Sequence, residues 1–312
     1  MFGIFSIFLA SSLWALDTLI RYPLMQAGVP ALQIVLFEHV FLVLAMLLYL
    51  RRHGGWVLPL QGNRLNIFMV GGFGSAIGTL AFTAAFAYHN PTVVILLQKL
   101  QPLVAIFAAR WILGERWSRD FGGLALLGIT GALIMMGPDL LALTRVETWH
   151  GYGDAASAWI GYGLIFLAVT AWGLATVFGK RLLNNGYSNA RTLLARFGAA
   201  LLTLTLLALL LEPTALAVPP VHLGSIALLA LLAGILGMSA YYYGLKQVPA
   251  HIATLAELFF PVAALAVNYL AFGTTISMPQ AGGAILITLA ALLARHRAIL
   301  PQERMETEPL GA

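Results

Sequence analysis

Apolar stretches of about 20 residues recur ten times along this chain, at 3–22, 31–50, 65–88, 92–113, 120–137, 158–179, 190–211, 222–245, 251–272 and 279–295. That is the length an α-helix needs to cross roughly 30 Å of hydrocarbon. Of 312 residues, 60% are hydrophobic and 9% are charged, against roughly 25% charged in soluble domains. The expected fold is therefore an all-α polytopic membrane protein with ten transmembrane helices. The chain has no cysteine, which excludes disulfides, thiolate catalysis and metal sites built on sulfur. It also carries no HExxH, GxSxG or P-loop pattern. No catalytic residue, metal or cofactor is expected, and coupling is expected to use an ion, a proton or the solute's own gradient.

The basic residues orient the bundle. Arg51, Arg52, Arg64, Arg116, Arg119, Lys180, Arg181, Arg191, Lys246, Arg295, Arg297 and Arg304 fall on one side of the spans, and Arg21 and Arg145 on the other. By the positive-inside rule both termini are cytoplasmic, in a bacterial inner membrane. The same asymmetry accounts for a pI near 9.6 without nucleic acid as a partner. The expected partners are the lipid bilayer and a small-molecule substrate, with the chain a monomer or weak homodimer. Trp56, Trp117, Trp149 and Trp159 lie near predicted interfaces, as belt anchors do.

The chain writes one pattern twice. LASSLWALDT at 9–18 matches LAVTAWGLAT at 167–176, and LQKLQPLVA at 97–105 matches AELFFPVAA at 256–264. The offset is 158 to 159 residues, and it pairs Trp14 with Trp172, Thr18 with Thr176, and Pro102 with Pro261. Five helices make one copy, and an odd number forces the second copy to enter the membrane inverted. The reading is a first repeat at 1–137, an extracytoplasmic linker at 138–157, an inverted repeat at 158–297 and a disordered cytoplasmic tail at 298–312. Inverted repeats of this kind build secondary transporters.

Ionisable groups at membrane depth are expensive, and each needs a reason. Asp17, Glu38, Lys99, Arg196 and Glu257 qualify. Their depths suggest two pairs, Glu38–Lys99 and Arg196–Glu257, acting either as gates or as permanent ion pairs. Asp17 has Arg21 one turn on, a candidate partner near the interface. Pro102 and Pro261 each remove a mid-helix bond, so each marks a hinge or a static kink. The glycine-rich GGFGSAIG at 71–78 and AGILG at 233–237 suit close helix approach. The candidate substrate contacts are Trp14, Asp17, Thr18, His39, Tyr88, Gln98, Lys99, Trp172, Thr176, Tyr242 and Tyr243.

The repeated W-[AG]-L element and LQPLVAIFAARWILGERWS at 100–118, with its Leu113-Gly114-Glu115 ending, resemble the drug/metabolite transporter superfamily in its EamA-type branch. The second copy departs from that ending, reading Ala271-Phe272-Gly273-Thr274. Within the branch the pattern is similar to aromatic amino-acid exporters of the YddG type. The resemblance implies a central cavity lined by helices 1, 3, 4, 6, 8 and 9, with helices 5 and 10 peripheral. It also implies export of amino acids or similar metabolites by alternating access. Multidrug or nucleoside export is the alternative within the superfamily, and an intramembrane enzyme or scaffold is a distant one.

Overall fold

The computed structural model describes residues 2–54, 57–89, 91–144, 155–272 and 275–307. Its rods are α1 (Phe2–Gln26), α2 (Ala31–His53), α3 (Arg64–Ala85), α4 (91–112), α5 (Phe121–Thr144), α6 (Ala155–Asn184), α7 (Asn189–Leu211), α8 (Pro220–Gln247), α9 (250–272) and α10 (Met278–Thr307). Seven of these carry a helix long and apolar enough to cross a membrane by length and composition, and α4, α5 and α10 carry shorter apolar helices. No strand occurs among the described residues.

Two rods break where proline dictates. In α4 a helix ends at Gln98, a turn occupies Lys99 and Leu100, and a new helix starts at Gln101 with Pro102 in its first turn. In α9 the first helix ends at Glu257, the turn is Leu258 and Phe259, and the next helix starts at Phe260, followed by Pro261. Proline has no N–H to return to the residue four back, so the ladder must be interrupted there. Pro102 lines the interior cavity, whereas Pro261 does not.

Two other rods widen. Phe68–Gly78 of α3 and Ala230–Gly237 of α8 wind with the broader pitch of a π-helix. Such insertions concentrate at functional sites. The wide stretches seat the two matched tryptophans. Trp14 lies against Gly237 and donates its indole N–H to the Ala233 carbonyl at 3.1 Å, and Trp172 lies against Gly78. A side chain on either glycine would occupy the indole's place.

The rods before and after the mid-chain connection interlock rather than sit apart. α3 packs on α6 and α7, α8 packs on α1 and α2, α4 meets α9, and α5 pairs with α10. Two expectations are corrected. The segment from 298 continues α10 as helix to Thr307 instead of a disordered tail. α5 runs on to Thr144, through the first part of the expected linker. Trp56, Arg145, Trp149, Gly273 and Thr274 lie outside the described residues. Trp159 is exposed, while Trp117 is half-buried against Phe121 at the start of α5.

Candidate functional site

At the centre lies a cavity of about 140 Å³, measured as the space open to the centres of water-sized groups. α1, α2, α3, α4, α6, α7, α8 and α9 line it, and α5 and α10 supply no lining residue. The lining thus includes α2 and α7, which the expected set left out. Their entry has a physical cause, because both carry buried charges that need polar company inside the bundle.

One polar cluster centres on Arg21, which is 2% exposed. Its Nε and Nη2 donate to the two Asp17 oxygens at 2.7 Å each, Nη2 also reaches Glu38 Oε2 at 3.0 Å, and Nη1 reaches Thr83 Oγ1 at 3.2 Å. The planar fork suits this, since it can hold two carboxylates at once. α1 is hitched at Leu16, whose N–H bonds back only three residues to Leu13, and Asp17 follows the hitch. α6 runs unbroken through the matching position, where Ala175 stands. The carboxylate present in one copy and missing from the other therefore goes with a local change of helix.

A second cluster joins the opposite walls. Tyr241 donates to Glu257 Oε1 at 2.7 Å, Gln101 donates to Glu257 Oε2 at 2.9 Å, and Thr176 bonds the Tyr241 hydroxyl at 2.9 Å. Arg196 donates to Ser75 at 3.2 Å and to the Tyr242 hydroxyl at 3.2 Å. His39 Nδ1 donates to the Val35 carbonyl at 2.8 Å, leaving Nε2 to meet Ser75 at 3.0 Å. The Lys99 ammonium stands 3.4 Å from the centre of the Phe260 ring, a cation–π contact. Gln98 Oε1 is buried with no hydrogen-bond partner.

The pairs read from the sequence are not the pairs made. Glu38 meets Arg21 rather than Lys99, and Arg196 and Glu257 bond to tyrosine, serine and glutamine rather than to each other. The 158-residue offset reports which positions correspond, which is a different property from which positions touch. Asp17 does pair with Arg21, and both residues line the cavity.

Trp14, Asp17, Thr18, His39, Gln98, Lys99, Trp172 and Thr176 all line the cavity, as do Glu38, Arg196 and Glu257. Tyr242, Tyr243 and Tyr88 do not. Tyr242 is wholly buried behind the wall, Tyr243 is half-exposed on the outside, and Tyr88 lies in the turn after α3, against Gly161 of α6. Tyr241 takes the cavity position instead. Tyr241 shares its helix face with Gly234 and Met238, seven and three residues back, which also line the cavity. Arg21, Ser75, Phe82, Gln101 and Phe260 were also missed. Of these, Arg21 was named in the sequence only as a partner for Asp17, from its i+4 spacing, and not as a lining residue. Among the described residues no group of His, Asp and Glu is arranged to hold a metal ion.

The sequence profile of the EamA-like transporter family matches residues 1–137 and 159–295. The chain belongs to the EamA-like transporter family. This places it in the drug/metabolite transporter superfamily as a multi-pass membrane protein that moves a small-molecule metabolite. One relative of this EamA-like transporter is the "Riboflavin transporter ImpX" of Fusobacterium nucleatum, 30% identical over 93% of this chain and 96% of its own. Another is the "Uncharacterized transporter YyaM" of Bacillus subtilis, 27% identical over 75% of this chain and 74% of its own. A solved crystal structure shares the fold with a TM-score of 0.70, over 97% of each chain and at 19% identity.

Proposed function

We propose that this EamA-like transporter carries a flat heteroaromatic metabolite of the flavin class by alternating access. In this reading all ten rods cross a bacterial inner membrane, the halves 1–137 and 158–297 are inverted repeats, and both termini are cytoplasmic. The observation that carries the substrate class is the aromatic lining of one cavity, with Trp14 and Trp172 at corresponding positions and Phe82, Tyr241 and Phe260 beside them. Such faces stack on a planar ring, while Lys99 and the Gln98 and Gln101 amides meet its polar edge. The riboflavin transporter named above, similar over nearly the whole of both chains, supports the same class.

A second reading is export of an aromatic amino acid. Among the described residues no carboxylate lies within salt-bridge distance of Lys99, and Asp17 lines the same cavity. A cation and an acid in one cavity suit a zwitterion.

Counterflow in proteoliposomes separates the two. Saturable exchange of labelled riboflavin, inhibited by excess unlabelled riboflavin, is the expected result. Trp172→Ala is expected to raise the apparent KM about tenfold, the loss of one stacking face at roughly 1–1.5 kcal/mol. Exchange of tryptophan without riboflavin moves the assignment to the amino-acid reading. Exchange of neither overturns both.

A further inference from the structure

The connection between α8 and α9 is only Val248 and Pro249, and two charged side chains from other rods grip it. The Lys180 ammonium, from the end of α6, donates to the carbonyls of Leu245 at 2.8 Å, Lys246 at 3.3 Å and Val248 at 2.8 Å. The Glu115 carboxylate lies just past the end of α4, where Gly114 turns the chain with φ +67°. It accepts from the Ala250 N–H at 2.7 Å, the His251 N–H at 3.1 Å and His251 Nδ1 at 2.5 Å. An ammonium on the last carbonyls of one helix and a carboxylate on the first N–H groups of the next each match the local helix dipole. Burial alone would raise the Glu115 carboxyl, but the bonds from His251 and the two backbone N–H groups hold it below the usual range. It is therefore charged at neutral pH.

α4, α6, α8 and α9 are also rods that wall the cavity, carrying Gln98, Thr176, Tyr241 and Glu257. Four walls are thus tied together at one end. At the other end the corresponding turn joins α3 to α4. The positions offset from Lys180 and Glu115 by 158 and 159 are Tyr22 and Thr274, neither of them charged at neutral pH. There His89, in the turn, bonds the Ala158 carbonyl of α6 at 3.0 Å.

We propose that Glu115 and Lys180 form a latch on one face of the transporter, holding the cavity shut on the side that carries Lys246 and biasing the resting protein to open on the other. The proposal rests on the alternating-access reading, but it makes no use of which solute is carried. Opening toward Lys246 requires α8–α9 to part from α4 and α6, and so to break charge-assisted bonds on both sides of one short turn.

The chain's lack of cysteine allows a direct test. Met238, on the cavity wall, is changed to cysteine, and its labelling by a membrane-impermeant maleimide is timed from each face in oriented proteoliposomes. In Glu115→Gln and in Lys180→Met, labelling from the Lys246 face is expected to quicken about tenfold, the equivalent of one lost charge-assisted bond. Labelling from the opposite face is expected to slow. Lower thermal stability with both labelling rates unchanged would mean that the two residues are helix caps alone, and would overturn the proposal. Should Glu115→Gln not fold, Lys180→Met gives the same reading from the other side of the turn. The labelling needs no transported solute, so failure of the flavin assignment leaves it interpretable.

Discussion

Replacing Arg21 by leucine is expected to abolish transport and to remove most of the protein's thermal stability. The guanidinium is buried and bonds Asp17 twice, Glu38 once and Thr83 once, so it joins α1 to α2 and α3. Without it, two carboxylates face each other in a low-dielectric wall with no counter-ion. Removing one partner of a buried ion pair costs about 3–5 kcal/mol, and here two acids are stranded by one substitution. Arg21→Lys keeps the charge but loses the fork, so an intermediate loss is expected. The triple variant Asp17→Asn, Arg21→Leu, Glu38→Gln carries no uncompensated charge. It is expected to regain most of the Tm while remaining inactive in counterflow. An Arg21→Leu protein as stable and active as the parent would show that Arg21 is not the shared counter-ion.

Gly71→Ala is expected to damage both stability and transport, although it adds only one methyl group. α3 crosses α7 so closely that a methyl at Gly71 would overlap the Arg196 carbonyl oxygen and crowd the Ala199 side chain. Overpacking of a tight core costs about 1–3 kcal/mol, and a backbone carbonyl yields less readily than a side-chain tip. The displaced residue is also the one whose guanidinium reaches Ser75 and Tyr242 at the cavity wall. Transport is therefore expected to fall further than the drop in Tm alone would cause. Gly122→Ala is the matched control: it lies on α5 with open space around the added carbon, and a helix prefers alanine there by about 0.5–1 kcal/mol. Equal tolerance of the two substitutions in thermal melts would refute the close crossing.

The rods were legible in the sequence because each is an apolar run bounded by charge, glycine or proline. The breaks in α4 and α9 were legible at Pro102 and Pro261 because a missing N–H is a chemical fact of the residue. The cavity's tryptophans were found through their repetition. Arg21 was recognised as a partner for Asp17 but not as a cavity residue, because its reach to Glu38 and Thr83 depends on how α2 and α3 pack on α1. The ion pairs were misassigned because partners depend on which rods cross, and much of that crossing is long-range: α3 seats mainly on α6 and α7, far along the chain. The inward tyrosine was missed because three consecutive tyrosines spread over most of a helical turn, and which side of that turn meets the cavity is set by the packing of α8 on its neighbours.

That crossed seating has a consequence for how the protein is made. When the ribosome has finished α5, the glycine face of α3 still has nothing to rest against, since its seats on α6 and α7 have not been synthesised. The α1 and α2 surfaces that receive α8 wait longer still. The central cavity thus cannot be assembled rod by rod in order of synthesis. A chain released before α8 lacks one of the walls that complete the interior, so quality control meets the early portion as an unfinished surface rather than as a folded half.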